Sequence, residues 1–343
     1  MRESGPLWFQ RGQQLAEGSE HMGILELNQD IEQYVLNTSG ITFVHFSDIH
    51  ARKDLWDRIV EYINHYAAHI SFALHTGDYC GGSQKQYADL YEGKKCLRPI
   101  YNCPGNHDCY SGEGDWLLCE KETVHKLLFN HTEDWTVTFF NCAHSMSYYK
   151  DFGNLRLIVL DDYYDIWQTR GWLRAVLREA YDLGLHVITA QHEPTHYLNN
   201  TYGSLFHTLD NYNSKFHLYE LNRTAYDFDH RGRVLYEDVI EEFIAYGGKY
   251  VCNLAGHDHV DQFGLTDKGV LNVVIQNATS WDALGDTARV AGEKSEDCFN
   301  VMSVDTEKGQ FNLIRVGANT DRHGRVKNRM VFDYVNKKII EEA

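Results

Sequence analysis

Residues 41–50 read ITFVHFSDIH. The first six are β-branched or aromatic without interruption, which predicts a short buried strand. Two potential metal ligands follow it, Asp48 and His50. The carboxyl ends of strands, with their loops, are where α/β folds gather ligands. If the backbone stays extended beyond the strand, residues i and i+2 point to one side, and Asp48 and His50 reach one ion together.

The same grammar recurs along the chain. SFALHT is followed by Gly77-Asp78, and RPIYNC by Gly105-Asn106-His107-Asp108. HVITAQ leads to His192, and KYVCNLA to Gly256-His257-Asp258-His259. The glycines permit tight turns after each strand. Alone, a Gly-Asp reads as a turn and a single His as a buried core residue. Five such signals in this order, each after a predicted strand, point to one convergent site.

The segments between them have helical period. Trp56, Ile59, Val60, Ile63, Ala67 and Ile70 recur at steps of three and four, with Asp54 as the expected cap. Helices are also predicted over residues 83–92, along Trp172, Leu173, Val176, Leu177 and Ala180, and over Glu237–Tyr246. LRLIVL adds a strand, and beyond about residue 260 only short strands follow: VDQFGLT, VLNVVIQ, FNVMSV and FNLIRV. Alternating β and α with a strand-rich end predicts sheets covered by helices. The expected organisation is an N-terminal extension over 1–38, a catalytic domain over 39–320 and a C-terminal tail over 321–343. Residues 194–234, dense in Tyr, Asn, His and Phe, are too long for an ordinary connection and are expected to cap the site.

Composition narrows the partners. The 343 residues carry a net charge of −17, so the overall field does not attract nucleic acid. No apolar run is long enough to span a membrane, and the start lacks a secretory h-region, so a cytoplasmic protein is expected. The eight Cys form no C-x-x-C pair and are expected as reduced thiols; Cys103 and Cys109 flank a motif loop and could pair, but buried thiols are the favoured reading. Nineteen His is a high count, and His is the commonest metal ligand.

Asp48, His50, Asp78, Asn106, His192, His257 and His259 form a mixed oxygen and nitrogen donor set without thiolates. Such a set suits Mn, Fe, Zn or Ni and not a structural zinc site. It is too large for one tetrahedral ion and fits two ions that share a bridge. Two divalent ions outweigh the two carboxylates, so the centre can hold a phosphate despite the acidic chain.

The series D-x-H, G-D, G-N-H-D, a lone His and G-H-x-H resembles that of the calcineurin-like metallophosphoesterases. The resemblance spans about residues 41–316. It implies an α/β four-layer αββα sandwich of two mixed β-sheets flanked by helices, with the site at one edge. By position, it implies that Asp48, His50 and His259 bind one metal, that Asn106, His192 and His257 bind the other, and that Asp78 bridges them. His107 is implied as an acid or oxyanion stabiliser above the substrate, oriented by Asp108. Purple acid phosphatases, of the same superfamily, have a metal-binding Tyr where this chain has Gly81, so an iron–tyrosinate site is not expected. The implied reaction is hydrolysis of a phosphate ester by hydroxide held at two divalent or trivalent transition-metal ions (Mn, Fe or Zn). A small-molecule phosphodiester is the expected substrate, with a phosphomonoester as the alternative. A non-catalytic scaffold of the same fold is a third reading, against which stands the retention of every ligand.

Overall fold

The computed structural model describes residues 39–80, 90, 95–109, 119–129, 137–140, 146–164, 166–194, 236–257, 259, 261–266, 268–278, 289–290, 295–321, 324–325 and 329–342. The expected extension over 1–38, nearly all of the 83–92 helix, Gly81, Asp258 and all of the cap insertion but Pro194 lie outside these residues.

The first half of the chain runs β1 (Ile41–Phe46), α1 (Lys53–His65), β2 (Phe72–His75), β3 (Ile100–Asn102), a one-turn α2 (Asn106–Cys109), α3 (Lys121–Phe129), β4 (Thr138–Phe139), β5 (Tyr148–Phe152) and β6 (Leu155–Val159). There follow α4 (Ile166–Asp182), β7 (His186–Ala190), α5 (Glu237–Ala245), β8 (Lys249–Ala255), β9 (Gln262–Leu265) and β10 (Leu271–Val274). The chain closes with β11 (Cys298–Asp305), β12 (Gln310–Gly317), β13 (Thr320–Asp321), β14 (Gly324–Arg325), β15 (Arg329–Asp333) and β16 (Lys338–Glu342).

These strands build two seven-stranded mixed sheets, ordered β16-β15-β12-β11-β1-β2-β3 and β4-β5-β6-β7-β8-β10-β9, with β13 and β14 as a separate ribbon. Within the first, β1, β2 and β3 are parallel, and β1 meets β11 antiparallel. In the second, β6, β7, β8 and β10 are parallel. The expected sandwich of two mixed sheets flanked by helices is what the chain forms.

Burial on both faces explains the unbroken apolar runs. Leu157, Ile188 and Val251 face the core between the sheets, where they join Phe43, Phe72 and Met302. Their neighbours Ile158, Val187 and Tyr250 face outward, onto Leu173, Val176 and Leu177 of α4 and Val239, Ile240 and Phe243 of α5. Each aliphatic side chain buried this way contributes roughly 1.5–3 kcal/mol. The first sheet is covered by α1, whose Trp56 meets Phe46 and whose Tyr62 meets Phe299.

Three expectations are corrected. Helix α1 begins at Lys53 with Arg52 as its cap residue, and Asp54 lies in its first turn, accepting hydrogen bonds from Arg52. A charged first turn favours the helix dipole without any side-chain cap. That helix stops at His65, before Ala67 and Ile70. The stretch after residue 320 is no simple tail: β15 pairs with β12 along Gln310–Ile314, and β16 extends the sheet beyond it.

Candidate metal centre

The parallel strands of both sheets end together. β1 and β2 continue their pairing past the strands, because Asp48 N donates to Gly77 O at 3.0 Å, His50 N to Asp78 O at 3.1 Å and Ala51 N to Tyr79 O at 2.6 Å. In the other sheet Gly256 N donates to His192 O at 3.0 Å. The two sheets meet where His257 N donates to Asp48 Oδ2 at 3.0 Å.

The loops are not extended as the i, i+2 reading assumed. Asp48, His50, Asp78, His257 and His259 all have left-handed φ, at 55°, 45°, 58°, 70° and 56°. With Ala51 they make six of the seven such non-glycine residues among those described. Left-handed backbone costs an L-residue about 1–2 kcal/mol, and such strain clusters where side chains must be aimed. The loop-to-loop hydrogen bonds above hold it. Close approach, more than turn conformation, explains two glycines. A Cβ on Gly256 would lie 1.9 Å from Ser47 Oγ and 2.5 Å from Asp48 Oδ2, and one on Gly105 2.2 Å from Asp78 Oδ1.

The seven predicted donors fall into two groups. In one, His50 Nε2 lies 3.1 Å from His259 Nε2, which lies 3.2 Å from Asp48 Oδ1. In the other, His192 Nε2, Asn106 Oδ1 and His257 Nδ1 are separated by 3.0, 3.1 and 3.2 Å. Asp78 lies between the groups: its Oδ1 is 3.4 Å from His192 Nε2, and a carboxylate oxygen falls within 4.8 Å of the donor atoms of Asp48, His50 and His259. Neighbouring donors on one tetrahedral ion are spaced roughly 3.3 Å apart when its bonds are 2.0–2.1 Å.

A cation fits the chemistry as well as the spacing. His192 Nδ1 donates to Thr76 O at 2.6 Å, so the neutral ring turns its Nε2 lone pair toward Asn106 Oδ1. Two lone pairs at that distance repel unless positive charge sits between them. In the polypeptide alone a proton answers the need: burial works to lower the His192 pKa, but Asp78 outweighs it and holds it well above the usual value. Burial likewise opposes ionisation of Asp48, yet the hydrogen bond and charge of His259 keep its carboxyl ionised. His50 is pushed down to about 3, first by burial and then by the charge of His107, leaving a neutral imidazole suited to bind an ion.

His107 stands beside the donors, its side chain 18% exposed and its Nε2 4.0 Å from Asp78 Oδ2. Its ring meets that of His50 edge-on, with centroids 5.0 Å apart. Asp108, expected to orient His107, is bonded to the main chain of two loops. Oδ2 of Asp108 accepts from Asp78 N and Gly105 N, both at 2.9 Å, and Oδ1 from Tyr79 N at 3.0 Å and Cys80 N at 3.2 Å. Four N–H groups fill the acceptor sites of a carboxylate, so Asp108 organises the Asp78 loop.

Sequence reasoning assigns no role to several neighbours, and a supporting one is what it favours for Tyr79, Asp161 and Asp162. Thr76 fixes the His192 ring, Tyr79 packs on His75 at 3.8 Å between centroids and bonds Asn102, and Asp162 accepts from the main chain of His192. Asp161 and Asp162 follow β6 at its carboxyl end, the same positional signal that marked the other site residues. Cys103 and Cys109 are buried free thiols, and burial pushes both well up.

Residues 41–261 match the sequence model of a family described as calcineurin-like phosphoesterase. Among solved structures, the chain is similar to a dimetal phosphatase from Danio rerio, at 12% identity and a TM-score of 0.52 over 81% of this chain and 96% of that one. It is also similar to purple acid phosphatase PPD1 from seeds of yellow lupin (Lupinus luteus), at 13% identity and a TM-score of 0.53 over 86% of this chain and 54% of that one. At these identities the likeness speaks for the fold alone. No curated protein matches the chain.

Proposed function

The chain belongs to the calcineurin-like phosphoesterase family and is a metal-dependent phosphoester hydrolase; on that premise we propose that it cleaves small-molecule phosphodiesters at a two-ion centre. Asp48, His50 and His259 hold one ion in this reading, Asn106, His192 and His257 the other, and Asp78 is shared. The ions are Mn, Fe or Zn, and when bound they lower the pKa of a water nucleophile and offset phosphoryl charge.

The protein's own residues do the rest. Thr76 fixes the His192 tautomer, which keeps Nε2 directed at the centre. The Asp108 staple keeps Asp78 between the two donor groups. His107 Nε2 reaches toward the same space and donates a proton or hydrogen bond to the leaving oxygen.

The observation supporting a diester is the charge of the lining. Among the described residues it consists of carboxylates, one amide and imidazoles, while Arg58, Arg156 and Arg315 pair with Asp297, Asp151 and Asp261. A diester brings one negative charge and a monoester dianion nearly two, so the diester asks less of such a site. No described helix is long and apolar enough to cross a membrane, and the free thiols support a reducing compartment such as the cytoplasm.

The test compares bis(p-nitrophenyl) phosphate with p-nitrophenyl phosphate on the Mn-loaded protein. The reading expects the diester to have the higher kcat/KM; a preference for the monoester would replace it with a phosphomonoesterase.

A further inference from the structure

We infer that Asp162 is a positioning residue that sets His192 at the metal centre. The inference rests on the two-ion reading above. Asp162 is fully buried, and its Oδ2 accepts from His192 N at 2.9 Å and Glu193 N at 2.8 Å. A carboxyl group without solvent is costly to bury unless hydrogen bonds compensate. Here those bonds fall on one point of the backbone, where β7 gives way to the site.

His192 is thereby fixed from three directions. Asp162 holds its N–H, Gly256 N donates to its carbonyl at 3.0 Å, and Thr76 O takes its Nδ1–H at 2.6 Å. With the main chain and one ring nitrogen fixed, the place of Nε2 follows. The base of Asp162 is itself braced. Asp161 N donates to Ser147 Oγ at 3.0 Å, Asp161 Oδ1 accepts from Tyr163 N and Tyr164 N at 2.8 and 3.0 Å, and the Tyr236 hydroxyl donates to Asp161 O. Leu160 N, two residues before Asp162, is tied to Ala190 O at 2.8 Å, so the brace and the strand bearing His192 move as one. Among the described residues the Asp162 carboxyl group accepts from His192 N and Glu193 N, so the effect is expected at one ion.

The test is Mn(II) titration calorimetry on the full chain and on Asp162→Ala, Asp162→Asn and His192→Ala. The wild type should take up two equivalents. In Asp162→Ala, the equivalent that His192→Ala abolishes should bind about 10–100-fold more weakly, the usual loss on removing an outer support of a ligand, while the other is unchanged. Asp162→Asn should show a smaller loss at the same equivalent, because its amide oxygen still accepts. If the alanine variant does not fold, the asparagine variant decides, with a loss of at least about threefold expected at that equivalent alone. Unchanged affinities, or an equal weakening of both equivalents, would overturn the inference and leave Asp162 a general structural residue. A wild-type chain taking up fewer than two ions would overturn the two-ion reading itself.

Discussion

His192 and Asn106 come from different sheets, and His192 Nε2 lies 3.0 Å from Asn106 Oδ1. One leaves the end of β7 and the other follows β3, so the contact exists only when the two sheets are packed. The proposed metal centre would therefore be a product of the sandwich, and ion binding and folding are expected to be linked.

Ion removal tests that link. A chelated protein should melt at a lower temperature, and excess Mn(II) should restore it. An ion at 100 times its dissociation constant adds about 2.7 kcal/mol per site. Differential scanning fluorimetry across a Mn(II) series reads the shift, and a melting temperature independent of the ion would contradict the link.

The Asp108 staple separates a structural acid from a catalytic one. Asp108→Ala strands four main-chain N–H groups, three in the Asp78 loop and that of Gly105. With about 1–3 kcal/mol lost for each buried group left unsatisfied, partly recovered by relaxation, the variant should lose roughly 3 kcal/mol. Urea unfolding measures this. A variant of normal stability that fails only in turnover would return Asp108 to service of His107.

Much of this site could be read from the chain, and the exceptions have physical reasons. ITFVHF and KYVCNLA became β1 and β8 without a residue gained or lost, because strands buried on both faces leave unbroken apolar runs. β16, KIIEE, reads as tail because it is the outer strand of its sheet, paired with β15, and its two apolar residues give little contrast. β5, YYKDF, is half-exposed and was passed over for the same lack of contrast. The positions of Asp48, His50, His257 and His259 were legible, but their left-handed backbone was not, since neither Asp nor His demands it. The tasks of Asp108 and Asp162 depend on which main-chain N–H groups surround them, which only the folded loops disclose.

Two glycine substitutions should behave oppositely. Gly256→Ala drives a methyl against Ser47 and Asp48, so it should displace the Asp48 carboxylate, with one ion lost and turnover down at least about 100-fold. Gly171→Ala lies in α4 with nothing within 4 Å of the new Cβ, and should stabilise the protein by about 0.5–1 kcal/mol with unchanged turnover. Elemental analysis and thermal unfolding of the pair check both expectations. A fully metallated, active Gly256→Ala would show that the approach of these loops is not needed.

His107 is expected to act on substrate and not on the ions. His107→Ala should keep the wild-type ion content, and its rate loss should grow as the leaving group becomes more basic, since poor leaving groups depend most on protonation. Rates over a series of aryl esters give the slope. An ion count lower by one would make His107 a ligand.

The proposed chemistry needs a pair of ions sharing Asp78, and ion stoichiometry is the measurement that decides it. Equilibrium dialysis against Mn, Zn or Fe followed by elemental analysis should give two ions per wild-type chain, with a lower content and little remaining turnover in Asp78→Asn. One ion or fewer in the wild-type chain, under saturating metal, would contradict the account.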